Sequence, residues 1–363
     1  MIPRLDLGPY LAGSVAAREA LARELRRIQE NIGFYVVVNH GVEEEPVRRA
    51  GRALREFFAL PLEEKLRVRI NDKSVGYVPA RSTVYVTSII NRNTRPDLNE
   101  TITIARERPP DDPDILAGLR FVGPNQWPAA LPGFRDAMID YQEALSKLGY
   151  AMLPLYARAL DLPADYFAPH FTRPTWWTRN SYYAAAEPEE NQFGISPHSD
   201  HGFITLLPMS EVPGLQILSP DGEWIPATPV PGGIIVNTGE FLNRWSNGRF
   251  MATPHRVVAP QRDRYSMAMF FNPNPETLAD PLPTCVSAER PAAYEPVSLI
   301  DYMCWYIDSN YRREAGGAQR LSGVEDTMEA RRAIIERMKT ARAQRPSIPV
   351  RELLGTRDRG RKP

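Results

Sequence analysis

Cysteine is scarce in this sequence. Only two occur in 363 residues, Cys285 and Cys304, and their separation rules out a C-x-x-C motif. A disulfide framework needs several cysteines, and a zinc ribbon needs closely spaced pairs, so the sequence favours neither class. Free cysteines suit a reducing compartment, and we therefore expect a cytoplasmic protein.

An excess of charge of either sign is also missing. Lys and Arg together number 44, as do Asp and Glu, so the formal net charge at pH 7 is zero. Without a basic surplus, we expect no nucleic-acid partner and no anionic membrane surface. No apolar run reaches the ~20 residues that a membrane-spanning helix needs, and the first residues do not resemble a secretory signal. The oligomeric state is left open by these features.

What the sequence does contain is a short stretch with metal-binding chemistry, His198-x-Asp200, just before the apolar run 203–207. That run is rich in β-branched and aromatic residues and is followed by Pro208, which predicts a strand. In an extended chain, residues i and i+2 share a face roughly 6–7 Å apart, so both side chains can reach one ion. His255 offers a third ligand. Two histidines and one carboxylate on one side of a metal are the ligand set of non-haem Fe(II) oxygenases.

A second motif decides between this hypothesis and a purely structural interpretation. A His-x-Asp pair occurs by chance on solvated loops, and a histidine at a strand start is often a polar edge residue. Arg264-x-Ser266, however, follows His255 after a predicted turn at 260–263, which predicts a hairpin. Arg264 and Ser266 would then share a face of the strand next to His255. An arginine with a neighbouring hydroxyl binds carboxylates, which is what an α-keto acid co-substrate beside a metal requires.

Together these motifs resemble the isopenicillin N synthase-like family of 2-oxoglutarate/Fe(II)-dependent dioxygenases. The stretch from Gly33 to Val42 is similar to the family's N-terminal signature. Asn180-x-Tyr182 is similar to its motif near the co-substrate, although Tyr183 stands where the family usually has proline. From about residue 175 the chain has short apolar runs separated by Pro and Gly turns, which is typical of a jelly roll. The predicted fold is mainly β with flanking α-helices, around a double-stranded β-helix (jelly-roll) core.

The resemblance divides the chain into five regions of one catalytic unit. Apolar residues recur every three to four positions between 134 and 155, which predicts a long helix. The predicted regions are an N-terminal helix-and-strand region (1–120), the long supporting helix (121–175), the jelly-roll core (176–285), C-terminal helices (286–345) and a polar tail (346–363).

The resemblance also implies a set of cofactors and site residues. Fe(II) is held by His198, Asp200 and His255, and O2 is the oxidant. A small-molecule metabolite, of the kind found in secondary metabolism, is hydroxylated, desaturated or cyclised while succinate and CO2 are released. The expected contacts of 2-oxoglutarate are Arg264, Ser266, Tyr182 and Asn180. The candidate substrate contacts are Arg81, Tyr85, Phe203 and Phe270, and an inward-facing Arg81 or Arg179 would hint at an acidic substrate.

Two other functions remain open from the residues alone. An isopenicillin N synthase-type oxidase uses no 2-oxo acid, and its Arg-x-Ser motif binds the substrate carboxylate. A jelly-roll binding protein with a structural metal would not be an enzyme at all. The sequence does not identify the substrate.

Three further histidines are expected outside the metal site. His40 is predicted to bond backbone atoms in a turn, and His170 lies outside both motifs. His201 follows Asp200 directly, so strand alternation is expected to turn it away from the iron.

Overall fold

The computed structural model describes residues 2–84, 90–91 and 93–310. This part of the chain forms two β-sheets that face each other, with helices on the outer side of the larger one. The strands are β1 Arg4–Asp6, β2 Phe34–Val38, β3 Gly76–Val78, β4 Glu100–Ala105, β5 Thr175–Tyr183, β6 Ile195–His198, β7 Ile204–Pro208, β8 Leu215–Leu218, β9 Trp224–Pro226, β10 Ile234–Thr238, β11 His255–Val257 and β12 Arg264–Asn272. The predicted jelly-roll class is confirmed.

The large sheet contains eight strands in the order β1-β2-β10-β7-β12-β5-β4-β3. Its centre is built from β5 and β12, which pair along nine residues each. The small sheet contains four strands in the order β6-β11-β8-β9, each only three or four residues long. The predicted N-terminal region contributes β1 and β2 to one edge of the large sheet and β3 and β4 to the other.

Eight α-helices accompany the two sheets in the part of the chain that the structure describes. They are α1 Gly8–Leu11, α2 Val15–Gln29, α3 Glu44–Ala59, α4 Leu62–Leu66, α5 Pro113–Leu116, α6 Phe134–Ala159, α7 Glu240–Trp245 and α8 Leu299–Asn310, with 3-10 turns at Ala168–Phe171 and Pro283–Cys285. The predicted long helix is α6, and its apolar stripe packs against the sheet, where an added Cβ on Gly149 would lie 2.7 Å from the Phe271 ring. Ser14 caps α2 by accepting the Ala17 N–H, since its hydroxyl satisfies a donor of the first turn.

Two strand predictions are corrected by the structure. His198 and the run 203–207 were expected on one strand, but β6 lies in the small sheet and β7 in the large one. His255 and Arg264 were expected on a hairpin, but β11 pairs with β6 and β8, whereas β12 pairs with β5 and β7. Both errors have one cause: in a jelly roll, consecutive strands cross from one sheet to the other, and local alternation carries no signal of that crossing.

Some predictions fall outside the described residues. The C-terminal helices are seen only as α8, and the stretch beyond residue 310, with the polar tail, is not described. Within the described part, no helix has the length and apolarity needed to cross a membrane. Cys285 and Cys304 are both free.

Candidate metal centre

Three side chains from neighbouring strands and the following turn converge at one point. His198 ends β6, His255 begins β11, and the two residues are direct partners across the antiparallel pair. The Nε2 atoms of His198 and His255 lie 3.9 and 3.7 Å from Oδ1 of Asp200. One ligand atom from each residue lies within 4.8 Å of the other two. A single ion can therefore contact all three side chains.

Backbone carbonyls orient both imidazoles. Nδ1 of His198 lies 2.8 Å from the Ser196 carbonyl oxygen, and Nδ1 of His255 lies 3.2 Å from that of Thr253. A carbonyl oxygen can only accept, so each Nδ1 carries the proton and each Nε2 presents a lone pair. Burial, followed by the charge of His255, lowers the pKa of His198, which favours its neutral, metal-binding form.

The carboxylate of Asp200 is held by the large sheet. Its Oδ2 accepts hydrogen bonds from Thr205 Oγ1 at 2.6 Å and Asn237 Nδ2 at 2.7 Å, which leaves Oδ1 facing the histidines. Burial by itself raises the pKa of Asp200, but the two imidazoles and these two donors outweigh it and hold the pKa below its ordinary value. Two neutral imidazoles and one carboxylate fit Fe(II).

The turn that carries Asp200 rests on the first residues of α7. The N–H groups of Gly239 and Glu240 donate to the carbonyl oxygens of Phe203 and Asp200 at 3.0 and 2.7 Å. Gly202 and Gly239 meet backbone to backbone: a Cβ added to Gly239 would lie 2.1 Å from the Gly202 oxygen. Main-chain contacts with the start of α7 thus fix the position of the turn that carries Asp200.

Arg264 lies on the inner face of the large sheet and reaches toward the small one. Its side chain is 3% exposed, its guanidinium lies 4.9 Å from the Tyr183 ring centroid, and its Nε donates to the Val212 carbonyl at 3.1 Å. Within the described residues its Nη1 is buried and has no hydrogen-bond partner. Ser266 shares this face, opposite Ser181. A buried cation with an unused donor fits the carboxylate of a bound acid.

The predicted contacts Asn180 and Tyr182 are corrected, because they lie on the other face of β5. Arg264 is opposite Tyr183 and Ser266 is opposite Ser181, so the odd-numbered residues of β5 face inward. Asn180 Nδ2 donates to the Ile102 carbonyl, and Tyr182 Oη donates to Asp263. The residues beside Arg264 and Ser266 are therefore Ser181 and Tyr183. The predicted residues are shifted by one position from those that face Arg264 and Ser266. Pairing β5 with the strand that carries Arg264-x-Ser266 could have revealed this shift.

A cavity of about 630 Å³ opens beside the metal-binding residues, and both His198 and Asp200 line it. Its lining includes the apolar residues Phe121, Trp177, Phe270 and Ile307 and the polar residues Ser74, Thr83, Asn93, Thr101 and Thr103. Arg179 and His201 also line it.

Of the three predicted substrate contacts that the structure describes, one is brought to this cavity. Phe270 lines it. Phe203 does not, because it packs among Phe167 and Phe171 in the core. Arg81 is exposed and does not line the cavity, while Tyr85 lies outside the described residues. Sequence alone gave no signal for Trp177, whereas Arg179 had been noted only as an acid-binding possibility.

The remaining histidines lie outside the metal-binding cluster. His40 contacts backbone atoms, as predicted: Nε2 lies 2.8 Å from the Gly232 oxygen, and Nδ1 accepts the Val42 N–H. His170 packs against Trp245. His201 is not in the cluster, but the reason given for it was wrong, since no strand continues through Asp200 and His201.

His201 instead belongs to the cavity wall. Its ring lies between those of Trp177 and Tyr306, at centroid distances of 5.7 and 4.8 Å. Tyr306, from α8, also donates to the Ser199 carbonyl at 2.8 Å, between the two ligands His198 and Asp200. The C-terminal helix α8 thus reaches the metal-binding turn.

Comparison with known proteins places this site in a family. Residues 2–130 match the model of the non-haem dioxygenase N-terminal region named for morphine synthesis, and residues 175–273 match the 2OG-Fe(II) oxygenase superfamily. The 2-oxoglutarate-Fe(II) type oxidoreductase hxnY of Emericella nidulans is 33% identical over 330 residues, covering 88% of this chain and 93% of the relative. Kihadalactone A synthase LFS of Citrus sinensis is 35% identical over 75% of this chain and 82% of its own length.

A solved structure leads to the same family. A full-length Neurospora crassa protein, crystallised in complex with alpha-KG, has a TM-score of 0.73 and 30% identity, over 83% of this chain and 94% of that chain. The same protein has also been crystallised with alpha-KG and thymine. The predicted family and cofactors are confirmed: this chain belongs to the isopenicillin N synthase-like 2-oxoglutarate/Fe(II)-dependent oxygenases, oxidoreductases that use Fe(II), 2-oxoglutarate and O2.

Proposed function

We propose that His198, Asp200 and His255 bind the iron and that Arg264 and Ser266 bind the far carboxylate of 2-oxoglutarate, while a small organic molecule is oxidised in the adjacent cavity. The observation that carries this proposal is the convergence of three ligand atoms beside a buried arginine with an unused donor. Bound Fe(II) and 2-oxoglutarate supply the activation of O2, with succinate and CO2 as co-products of substrate oxidation.

The spacing between the two motifs suits a short diacid. His255 and Val257 are two residues apart, or roughly 6–7 Å along β11. Val257 pairs with Leu215, and a Cβ on the neighbouring Gly214 would lie 3.3 Å from Arg264 Cδ. Arg264 therefore lies about one strand step beyond the metal-binding residues.

Each protein group has a defined task in this proposal. Thr205 and Asn237 keep Oδ2 of Asp200 occupied, so that Oδ1 is presented to the metal. The Ser196 and Thr253 carbonyls hold the protons of His198 and His255 on Nδ1. Arg264 and Ser266 fix one end of the co-substrate, and the apolar wall around Trp177 and Phe270 excludes water from the place where substrate reacts.

The substrate is proposed to be a small molecule because the cavity beside the metal-binding residues has a volume of about 630 Å³. The relatives carry names of small-molecule enzymes, and one similar protein was crystallised with thymine. Hydroxylation, desaturation and ring closure are all compatible with this cavity.

An anaerobic titration followed by exposure to air tests the proposal. The full chain should bind one Fe(II), bind 2-oxoglutarate only weakly without metal, and form succinate once air and a suitable small molecule are added. Asp200→Ala should lose both metal and succinate formation. Oxygen consumption with substrate but without succinate would instead favour an oxidase that uses no 2-oxo acid, and retention of metal by Asp200→Ala would contradict the proposed ligand set.

A further inference from the structure

The two strands that carry the metal-binding histidines differ in their support. β11, which carries His255, is paired on both sides, with β6 and with β8. β6, which carries His198, is four residues long and lies at the edge of the small sheet, where β11 is its partner. The main chain of an edge strand is fixed by the sheet on one side only, so contacts from outside the sheet have a larger part in placing His198.

A β-bulge further weakens the pairing of β6. Between Ile195 and His198, β6 has two residues where β11 has one. These two residues are Ser196 and Pro197. The extra residue of a bulge is left out of the ladder, and proline has no N–H to donate. The sheet therefore gives little support to the two residues directly before His198.

Ser196 is held instead by a side chain from outside the small sheet. Oδ1 of Asp97 accepts the N–H of Ser196 at 2.9 Å and its hydroxyl at 2.7 Å. Both residues are buried, with 1% of each exposed. An oxygen that accepts both donors of one residue fixes its main chain and its side chain together, and such bonds are strong where water is excluded.

The main chain of Asp97 is itself anchored, so its side chain starts from a fixed position. Its N–H donates to the Thr83 carbonyl at 2.9 Å, and its own carbonyl accepts the Arg81 N–H at 3.0 Å. The next residue, Leu98, donates to the Phe193 carbonyl at 3.0 Å, just before β6. Asp97 thus connects the wall of the cavity, to which Thr83 belongs, with the strand that carries the first histidine.

Ser196 passes this support on to the imidazole. Its carbonyl oxygen accepts the Nδ1 proton of His198 at 2.8 Å, which presents Nε2 to the metal. The corresponding contact of His255, with the Thr253 carbonyl, is longer, at 3.2 Å. Within the described residues the Thr253 hydroxyl is buried without a partner, so the carboxylate support belongs to His198 and not to His255.

We propose that Asp97 is a positioning residue for the iron: through Ser196 it fixes the imidazole of His198, the metal-binding histidine on the edge strand. This inference rests on the proposed function, which makes His198 an iron ligand. It predicts that a carboxylate outside the ligand set controls the affinity and the geometry of the metal site, because Ser196 and the imidazole can shift together once the two hydrogen bonds are lost.

Cobalt binding tests this inference without a substrate. Co(II) takes the same nitrogen and oxygen ligands as Fe(II), and its visible absorption changes with their arrangement. The full chain and its variants are titrated with Co(II) alone, and competition with a metal-binding indicator gives the affinity. The wild type should bind one ion, and His198→Ala should bind it far more weakly. Failure of either result refutes the proposed ligand set and, with it, the inference.

The expected result is a loss that follows the hydrogen bonds of Asp97. Asp97→Ala should weaken Co(II) binding by about tenfold to hundredfold and shift its absorption bands. Ser196→Ala should have a smaller effect in the same direction, since the N–H bond to Asp97 remains. Asp97→Asn should recover most of the affinity, because its amide oxygen can accept both donors.

Asp114→Ala is the matched control. Asp114 is also a buried carboxylate, but it belongs to α5 and binds Arg108 and Arg173 rather than a residue of β6. Its loss should lower the free energy of unfolding, measured in urea, and should leave the affinity and the spectrum of Co(II) unchanged.

Two outcomes would overturn the inference. One is that Asp97→Ala and Ser196→Ala both bind Co(II) with the affinity and spectrum of the wild type. The other is that Asp97→Ala and Asp114→Ala weaken binding equally, since Asp97 would then act through folding alone. If Asp97→Ala does not fold, Ser196→Ala, which removes a single oxygen atom, decides: an unchanged affinity and spectrum in that variant refutes the inference.

Discussion

The two sheets differ in what they contribute to the metal centre. The small sheet has strands of three or four residues and supplies the two histidines, His198 and His255. The large sheet, with strands of up to nine residues, supplies Thr205 and Asn237, which hold the Asp200 carboxylate, and Arg264, the proposed partner of 2-oxoglutarate. Asp200 lies in the segment that crosses between them, and its carboxylate is held by the large sheet.

This difference indicates that one sheet provides the metal-binding histidines, whereas the other fixes the positions of the metal-binding atoms. A short strand can present a histidine, but it has little rigidity of its own. The long central strands of the other sheet provide fixed donors across the gap, and their main chains are paired on both sides. Changes in the small sheet should therefore abolish metal binding, whereas changes in the large sheet should weaken binding or misplace the co-substrate.

The largest effect is expected when a small-sheet ligand is removed. His198→Ala should lose Fe(II) and all turnover, because one imidazole and one carboxylate form an incomplete site. His201→Ala is the matched control, three residues away: it should retain Fe(II), although loss of a wall ring should weaken substrate binding. Metal content after anaerobic dialysis checks both variants. Iron loss in His201→Ala together with retention in His198→Ala would reverse the assignment of the two residues.

Removal of the large-sheet clamp should leave the metal in place. Arg264→Ala should raise the apparent 2-oxoglutarate constant by more than tenfold, because breaking a buried charged contact costs on the order of 2–5 kcal/mol. Arg256→Ala is a suitable control, since this β11 arginine stacks on Trp224 on the outer side of the small sheet. Calorimetric titration of the Fe(II)-loaded protein measures the constant. An equal change in both variants would show that Arg264 acts only through stability.

A partial loss of Fe(II) affinity is expected when a hydrogen-bond donor to Asp200 is removed. Thr205→Val keeps the side-chain shape but removes the hydroxyl that holds Oδ2, and Fe(II) affinity should fall by about tenfold to hundredfold. Thr238→Val removes a buried hydroxyl of the neighbouring strand that donates to Gln29 instead. It should lower the free energy of unfolding without changing metal affinity. Competition with a metal-binding indicator distinguishes these results, and equal affinities for the two variants would contradict the role of Thr205.

The smallest effect concerns the pH dependence of stability at Asp97. Burial raises the pKa of Asp97 to about 6, against the opposing effect of Ser196 and Arg179. A carboxyl with a raised folded pKa binds its proton more tightly in the folded state, so its contribution to stability falls as the pH rises from about 4 to about 6 and is constant above.

Asp97→Asn removes this titration. The free energy of unfolding of the variant, relative to wild type, should increase by about 1–3 kcal/mol between pH 4 and pH 7. Urea unfolding at the two pH values provides the measurement. A relative stability of the variant that decreases over this range would show that ionised Asp97 is stabilised by Arg179 more than burial destabilises it.

The sequence carried the reactive residues better than their surroundings. His198, Asp200, His255, Arg264 and Ser266 were predicted because their chemistry is specific and because His-x-Asp and Arg-x-Ser each span only three residues. The structure brings the first three together, and the roles of all five stay predictions. The strands that carry them were assigned to the wrong sheets, since crossing between sheets depends on pairing partners that lie far apart in the chain, such as Ile234 and Val37.

The errors at Asn180, Tyr182 and Phe203 were errors of face. A strand offers two faces, and a shift of one residue exchanges them. Asn180 and Tyr182 were assigned by motif similarity, without reference to the partner strand that fixes which face is inward. Phe203 was assigned from its closeness to Asp200, but the chain turns before β7 begins, and the ring enters the core.

The contact between Gly202 and Gly239 limits how this chain can vary. Where side chains meet, a larger residue can often be accommodated by a rotamer change, but here main chain meets main chain and nothing can rotate away. A single methyl group at position 239 would push back the whole segment that carries Asp200. The geometry of the candidate metal centre therefore depends on Gly239, a residue without a side chain, and a survey of tolerated substitutions should find this position as restricted as the predicted ligands.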